Sequence, residues 1–200
     1  MGNPSFAISS LESILQSRHQ LVAVISNPPK PMGRKKILKH TEVGDYAIKN
    51  GLELIELDSF ENDAIYKKII SLNIDIFVVV AFKILPEKYI SIPRFGSINL
   101  HASLLPKYRG AAPIQWALMN GDKTTGVSVF QIEKKVDTGK IIFQKKIDVD
   151  KSDNFELLSI KLSNLGAKIL IKALNKIENG NANFIEQDNT FSKRAPKISK

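Results

Sequence analysis

The chain contains no cysteine, and that absence removes three chemistries at once: a disulfide framework, a cysteine-ligated zinc and a thiol nucleophile. It also lacks the run of about 18 apolar residues that a membrane span requires. Its longest apolar stretch, Ile74 to Phe82, is interrupted by Asp75. The opening MGNPSFAISS has no basic region followed by an apolar one, so it does not read as a signal peptide. Acylation after Met-Gly would want Ser or Thr at the sixth position, where Phe6 stands. No Gly-x-Gly-x-x-Gly follows a strand and no Gly-x-Ser-x-Gly elbow occurs, which leaves a dinucleotide dehydrogenase or a serine hydrolase without its anchor. Acidic residues are the scarce charge, 20 against 29 basic ones, for a net charge of +9. A field of that sign attracts polyanions such as nucleic acid and nucleotides, although a solvated basic surface gives the same count. The expectation is a cytoplasmic protein with no membrane part.

What is present is the composition of a folded globular chain, 43% hydrophobic and 24% charged over 200 residues, enough for one or two domains. Leu21–Ile25 and Asp75–Val80 are β-branched runs, the second apolar on both faces as a central parallel strand should be. Between them Glu42–Asn50 and Glu61–Leu72 carry helical periodicity, with a short strand at Glu53–Leu57. Upstream, Phe6–Gln16 reads as a helix following Pro4. Later strands are expected at Ser97–Leu100, Gly126–Ile132 and Lys140–Val149. The alternation of Gly126–Phe130 suits an edge or half-buried place. A long helix is expected from Asp153, with Asp153 and Glu156 as a capping box, to about Asn179, with Gly180 ending it. This alternation predicts an α/β, Rossmann-like fold with a mostly parallel central sheet flanked by helices and its ligands beyond the carboxyl ends of the strands. Such a sheet usually opens on an apolar strand, whereas here a loop comes first, so the opening strand is expected to be missing.

Of the three histidines, His19, His40 and His101, the last has the most informative neighbours. It follows Asn99 by two positions at the end of a strand, so the two side chains point the same way. An amide and an imidazole so placed can hold the oxygen of a carbonyl that becomes tetrahedral. With no strong nucleophile nearby, direct attack by a substrate amine fits better than a covalent enzyme intermediate. Asp137, in Lys134-Lys135-Val136-Asp137-Thr138-Gly139, is either a turn former or a carboxylate that orients His101 and helps deprotonate the amine. The residues alone leave both open.

The run Asn99-Leu100-His101-Ala102-Ser103-Leu104-Leu105-Pro106-Lys107-Tyr108-Arg109-Gly110-Ala111-Ala112-Pro113-Ile114-Gln115 resembles the signature of the folate-dependent formyltransferases, and Asp137-Thr138-Gly139 falls where that family has its Asp-Thr-Gly. The resemblance spans essentially the whole chain. The Arg-Gly-Ala-Ala-Pro-Ile-Gln ending is most similar to the members that formylate methionyl-tRNA. It implies a transferase of translation initiation, with 10-formyltetrahydrofolate as formyl donor, initiator methionyl-tRNA as acceptor, no metal, and a monomeric state. By the same resemblance Asn99, His101 and Asp137 are catalytic. Ser103, Leu104, Leu105 and Pro106 line the folate site, with Val80, Ala81, Phe82 and Leu85 as a second wall, although many members have Tyr-Gly in place of Phe82-Lys83. The basic loop from Asn27 to Lys39 matches an insertion that reaches the tRNA acceptor stem, which assigns Arg34, Lys35, Lys36 and Lys39 to tRNA contact; on residues alone a solvated loop also fits. Residues 1–180 are then the catalytic domain. Residues 181–200 are the start of a linker to a C-terminal domain the chain does not contain. The rivals are a formyltransferase acting on a sugar nucleotide or glycinamide ribonucleotide, and a noncatalytic RNA-binding fragment.

Overall fold

A computed structural model describes residues 1–33 and 35–198. Strand β1 (Val24–Ser26) pairs in parallel with β4 (Leu54–Glu56), and β5 (Phe77–Val79) pairs in parallel with β6 (Ser97–His101). Among the described residues, β1 and β5 are joined through Met1 and Gly2. The Gly2 amide donates to the Ile25 carbonyl at 3.1 Å, and the Val80 amide donates to the Met1 carbonyl at 2.9 Å. Beyond β6 the direction reverses: β7 (Thr124–Gln131) and β8 (Ile141–Asp148) add antiparallel strands. The layer therefore runs β4, β1, Met1–Gly2, β5, β6, β7, β8. The turn after Gln131 joins β7 directly to β8 and forces that pair antiparallel, whereas β6 and β7 run antiparallel although the helix Pro113–Met119 lies between them.

The period-two alternation of the strands sorts the core onto two faces. Val24, Val78, Val80, Ile98, Leu100, Val127 and Val129 pack with α1 (Ile8–Leu15), α2 (Glu42–Lys49) and α6 (Phe155–Glu178). Ile25, Ile55, Phe77 and Val79 pack on the other face with Ile69 of α3 (Asp63–Ser71) and Tyr89 of α4 (Glu87–Ile90). A fifth helix, α5 (Pro113–Met119), carries Ala117 against Tyr108 and Ala195. Thr41 caps α2 by accepting from the Gly44 amide, and Asn62 caps α3 by accepting from Ile65.

Several sequence expectations are corrected. Gly126–Phe130 is not at an edge: β7 lies between β6 and β8 and is buried at all five positions. The polar member of its alternation, Ser128, faces inward because its hydroxyl donates to the Ser103 carbonyl and accepts from the Leu105 amide. The cap of α6 is Asn154, which accepts from Leu157, while Asp153 accepts from the Asp150 amide and the Lys161 ammonium. The basic loop after β1 is a projecting hairpin, β2 (Lys30–Met32) with β3 (Ile37–Lys39), exposed on both faces.

Candidate active site

Strand β6 brings Asn99 and His101 to one face. Because Ile98 and Leu100 face α6, the two polar residues face away from it. His101 is 7% exposed, and its Nε2 lies 2.8 Å from the Tyr108 carbonyl. A carbonyl oxygen only accepts, so Nε2 carries the proton and Nδ1 is the nitrogen turned to the site. Asp137 Oδ2 stands 3.8 Å from that Nδ1. The same oxygen accepts from the Gly110 amide at 2.8 Å. Asp137 has a φ of 54°, the left-handed conformation that Asp tolerates better than most residues, and this turns its carboxylate toward the ring. The expectation that Asp137 orients His101 is thus refined: the Tyr108 carbonyl makes the short contact, and the carboxylate stands further off. The third member, Asn99, has an Oδ1 that is buried without a hydrogen-bond partner among the described residues. A buried polar atom left so costs about 1–3 kcal/mol, which a ligand group would recover.

The loop after β6 is held from beneath. Gln144 donates to the Leu105 carbonyl and to Ser128 Oγ, and Leu105 packs with Phe130 and Ile141. From above it is held by the tail, the segment expected to be a linker. Arg109 and Ala195 exchange backbone hydrogen bonds with the facing segments: Ala195 donates to the Arg109 carbonyl at 2.7 Å, and Arg109 donates to Lys193 at 2.9 Å. A Cβ on Gly110 would come within 2.6 Å of the Ala195 carbonyl oxygen, so the strap requires glycine there. Gln187 is the residue that sequence reasoning missed. It donates to the carbonyls of Asp137 and Gly139 and accepts two bonds from the Arg109 guanidinium, tying both catalytic loops together. Burial of the guanidinium lowers the Arg109 pKa, which the Asp137 carboxylate partly offsets. Nothing in the polar tail sequence marks this glutamine; only the strap makes it central.

The two segments assigned to the folate site follow β5 and β6, which are neighbours, so both leave the sheet at the same carboxyl edge. Val80, Leu85, Ser103 and Leu105 put their side chains into the interior. Ala81, Phe82, Leu104 and Pro106 are the members left exposed or half-buried at that edge. Lys83, where the family pattern departs, spends its ammonium on the Leu57 and Asp58 carbonyls. Lys35, Lys36 and Lys39 are exposed on the hairpin, and Arg34 lies outside the described residues. The other histidines are occupied elsewhere, His19 with Asn175 and His40 with Glu56. A cavity of about 310 Å³ lies at the join between β1 and β5, and neither Asn99, His101 nor Asp137 lines it.

The fold and this cluster at the strand ends define the class. Solved structures share the architecture: the sugar 3N-formyl transferase WlaRD, solved in the presence of dTDP and 5-N-formyl-THF, aligns at a TM-score of 0.72 with 23% identity over 98% of this chain and 68% of that one. Phosphoribosylglycinamide formyltransferase from Anaplasma phagocytophilum aligns at 0.73 with 22% identity over 89% of this chain and 85% of that one. The formyl transferase family model matches residues 1–174, and the chain belongs to that family. Within it, the chain is 46% identical to a methionyl-tRNA formyltransferase of Thermodesulfovibrio yellowstonii over 90% of this chain and 58% of the relative. It is 43% identical to the methionyl-tRNA formyltransferase of Ehrlichia canis over 99% of this chain and 66% of the relative. The chain thus spans about three-fifths of the length of the curated relatives it matches.

Proposed function

We propose that this chain carries the catalytic part of an enzyme that moves a formyl group from 10-formyltetrahydrofolate to the amino group of initiator methionyl-tRNA, in the cytoplasm, as a monomer. When bound, the donor supplies a formyl carbon attached to nitrogen. Asn99, through its amide nitrogen, and the Nδ1 side of His101 donate hydrogen bonds to the formyl oxygen as charge develops on it, Nδ1 doing so in its protonated form, while the unpartnered Asn99 Oδ1 is left to accept from the attacking amine. In that form the ring donates from both nitrogens, to the Tyr108 carbonyl and toward the site. Asp137 balances the imidazolium and takes the proton that the attacking amine loses, directly or through water; the bond from the formyl carbon to the folate nitrogen then breaks, and that nitrogen departs with the proton as tetrahydrofolate. Burial of the imidazole and carboxylate makes these charges act more strongly on one another than they would in water. Ala81, Phe82, Leu104 and Pro106 are offered to the pterin. Residues 1–180 carry these reacting groups, and Lys35, Lys36 and Lys39 of the hairpin, together with Arg34, meet tRNA phosphates.

One observation carries the reading. An orphaned amide, an imidazole held in one tautomer and a carboxylate meet at the carboxyl end of β6 in a chain 46% identical to a methionyl-tRNA formyltransferase. The test offers 10-formyltetrahydrofolate with methionyl-tRNA, an amino-sugar nucleotide or glycinamide ribonucleotide in parallel. Formyl transfer to methionyl-tRNA is the expected outcome. Transfer to one of the small amines alone would replace the acceptor, and RNA binding with no affinity for a folate analogue would replace the whole reading.

A further inference from the structure

Antiparallel pairing at the foot of the tail puts one side chain within reach of both loops of the site. Ile141 and Ile185 exchange backbone hydrogen bonds, at 2.8 and 2.9 Å. Carried two residues along each segment, that register sets Gln187 opposite Gly139, which closes the turn bearing Asp137. The turn is packed against the end of β7, because a Cβ on Gly139 would run into the Gln131 carbonyl. From the tail side it is met by the Gln187 amide.

Gln187 is 8% exposed, and its amide is fully used. Nε2 donates to the Asp137 carbonyl at 3.0 Å and to the Gly139 carbonyl at 2.7 Å. Oε1 accepts from Arg109 Nε at 3.1 Å and from Arg109 Nη2 at 2.6 Å. Two N–H groups and two lone pairs are all that a carboxamide has. A glutamate would lack the donors, a leucine would lack both, and an asparagine would be one carbon short. The place is therefore specific for glutamine.

Those four bonds fix both ends of a single residue. Directly, they hold the Asp137 carbonyl. Indirectly, they hold Arg109, whose neighbour Gly110 donates its amide to Asp137 Oδ2 at 2.8 Å. Asn189 and Ser192 of the tail accept further bonds from the same guanidinium. Asp137 needs such holding. Its φ of 54° is a conformation that costs a residue with a Cβ about 1–2 kcal/mol and persists only where the surroundings impose it. Its carboxylate makes no short bond to His101, standing 3.8 Å from Nδ1, so the ring does not anchor it.

We infer that Gln187 is a positioning residue for formyl transfer: its amide locks the Asp137 peptide and, through Arg109 and the Gly110 amide, the Asp137 carboxylate, so that this carboxylate faces His101. The inference rests on the proposed function, in which Asp137 takes the proton of the attacking amine. Gln187 bonds to no reacting atom, and its effect on the rate passes through Asp137.

The test uses two variants of the 200-residue chain. Gln187→Leu removes all four bonds. Gln187→Glu keeps an oxygen for Arg109 and removes only the two donors, so the tail stays strapped even where the leucine variant fails to fold. Each should lower the single-turnover rate of methionyl-tRNA formylation by about 10- to 100-fold. The KM for 10-formyltetrahydrofolate should stay within about twofold, because Ala81, Phe82, Leu104 and Pro106 are untouched. In an Asp137→Asn background the same changes should cost less than about twofold more, since the group they position is already gone. A wild-type rate in either folded variant overturns the inference, and so does a loss that simply multiplies with that of Asp137→Asn. Both of those results leave the proposed function standing. A parent chain that formylates methionyl-tRNA no faster than buffer overturns the proposed function, and this inference with it.

Discussion

At the scale of single residues the site separates chemistry from support. Asp137→Asn keeps an oxygen for the Gly110 amide and removes only the charge beside His101. Its formylation rate should fall by about 10²–10³, as should that of His101→Ala, with the thermal midpoint of Asp137→Asn unchanged. Single-turnover formylation beside a melting curve checks this, and a near-normal rate in either variant breaks the proposed mechanism. Tyr108 predicts the opposite split. Its backbone carbonyl holds His101, whereas its hydroxyl donates to Asp122 at 2.8 Å and accepts from Asn120 at 2.9 Å. Tyr108→Phe should therefore cost about 1–3 kcal/mol in urea unfolding and leave turnover nearly intact. Asn99 and His101 were legible in sequence because strand periodicity alone puts residues two apart on one face. The role of Tyr108 was not, since a backbone carbonyl has no letter of its own.

At the scale of elements, the hydrophobic periods located every predicted helix and strand, and the ends moved by a few residues where partners were lacking. Asp75–Val80 shrank to β5 where its outer edge faces the cavity beside β1, and Gly126–Ile132 went inward because β8 continued the sheet past it. A pattern of alternating polarity reports what lies on the faces of a strand and nothing about what pairs with its edges. Gly126 in β7 shows the consequence. A Cβ there would stand 2.3 Å from the Lys145 carbonyl oxygen and 2.6 Å from a Leu104 methyl. Gly126→Ala should destabilise the fold by about 1–3 kcal/mol through overpacking. It should also raise KM for the formyl donor by moving Leu104, measurable by denaturation and steady-state kinetics; a variant with wild-type stability would show that β8 yields freely.

At the scale of the whole molecule, charge makes the prediction. With a net charge of +9, tRNA binding should weaken steeply with salt. Replacing Lys35, Lys36 or Lys39 by Ala should each reduce the salt slope by about 1 if that residue meets a phosphate. Filter binding across a salt series reads this directly, and an unchanged slope in all three removes the hairpin from the interface.

Read as a string, the chain determined its α/β class, the order of its elements, the pairing of Asn99 with His101 on one face, and its membership of the formyl transferase family. Each of these is written in local periodicity or in contiguous motifs. Three matters waited for the tertiary structure: which His101 nitrogen faces the site, that Gln187 ties Asp137 to Arg109 across fifty residues, and that the tail pairs with the loop after β6. These depend on which distant segments share an edge or a hydrogen bond, and long-range closure leaves no period along the chain for a reader to find.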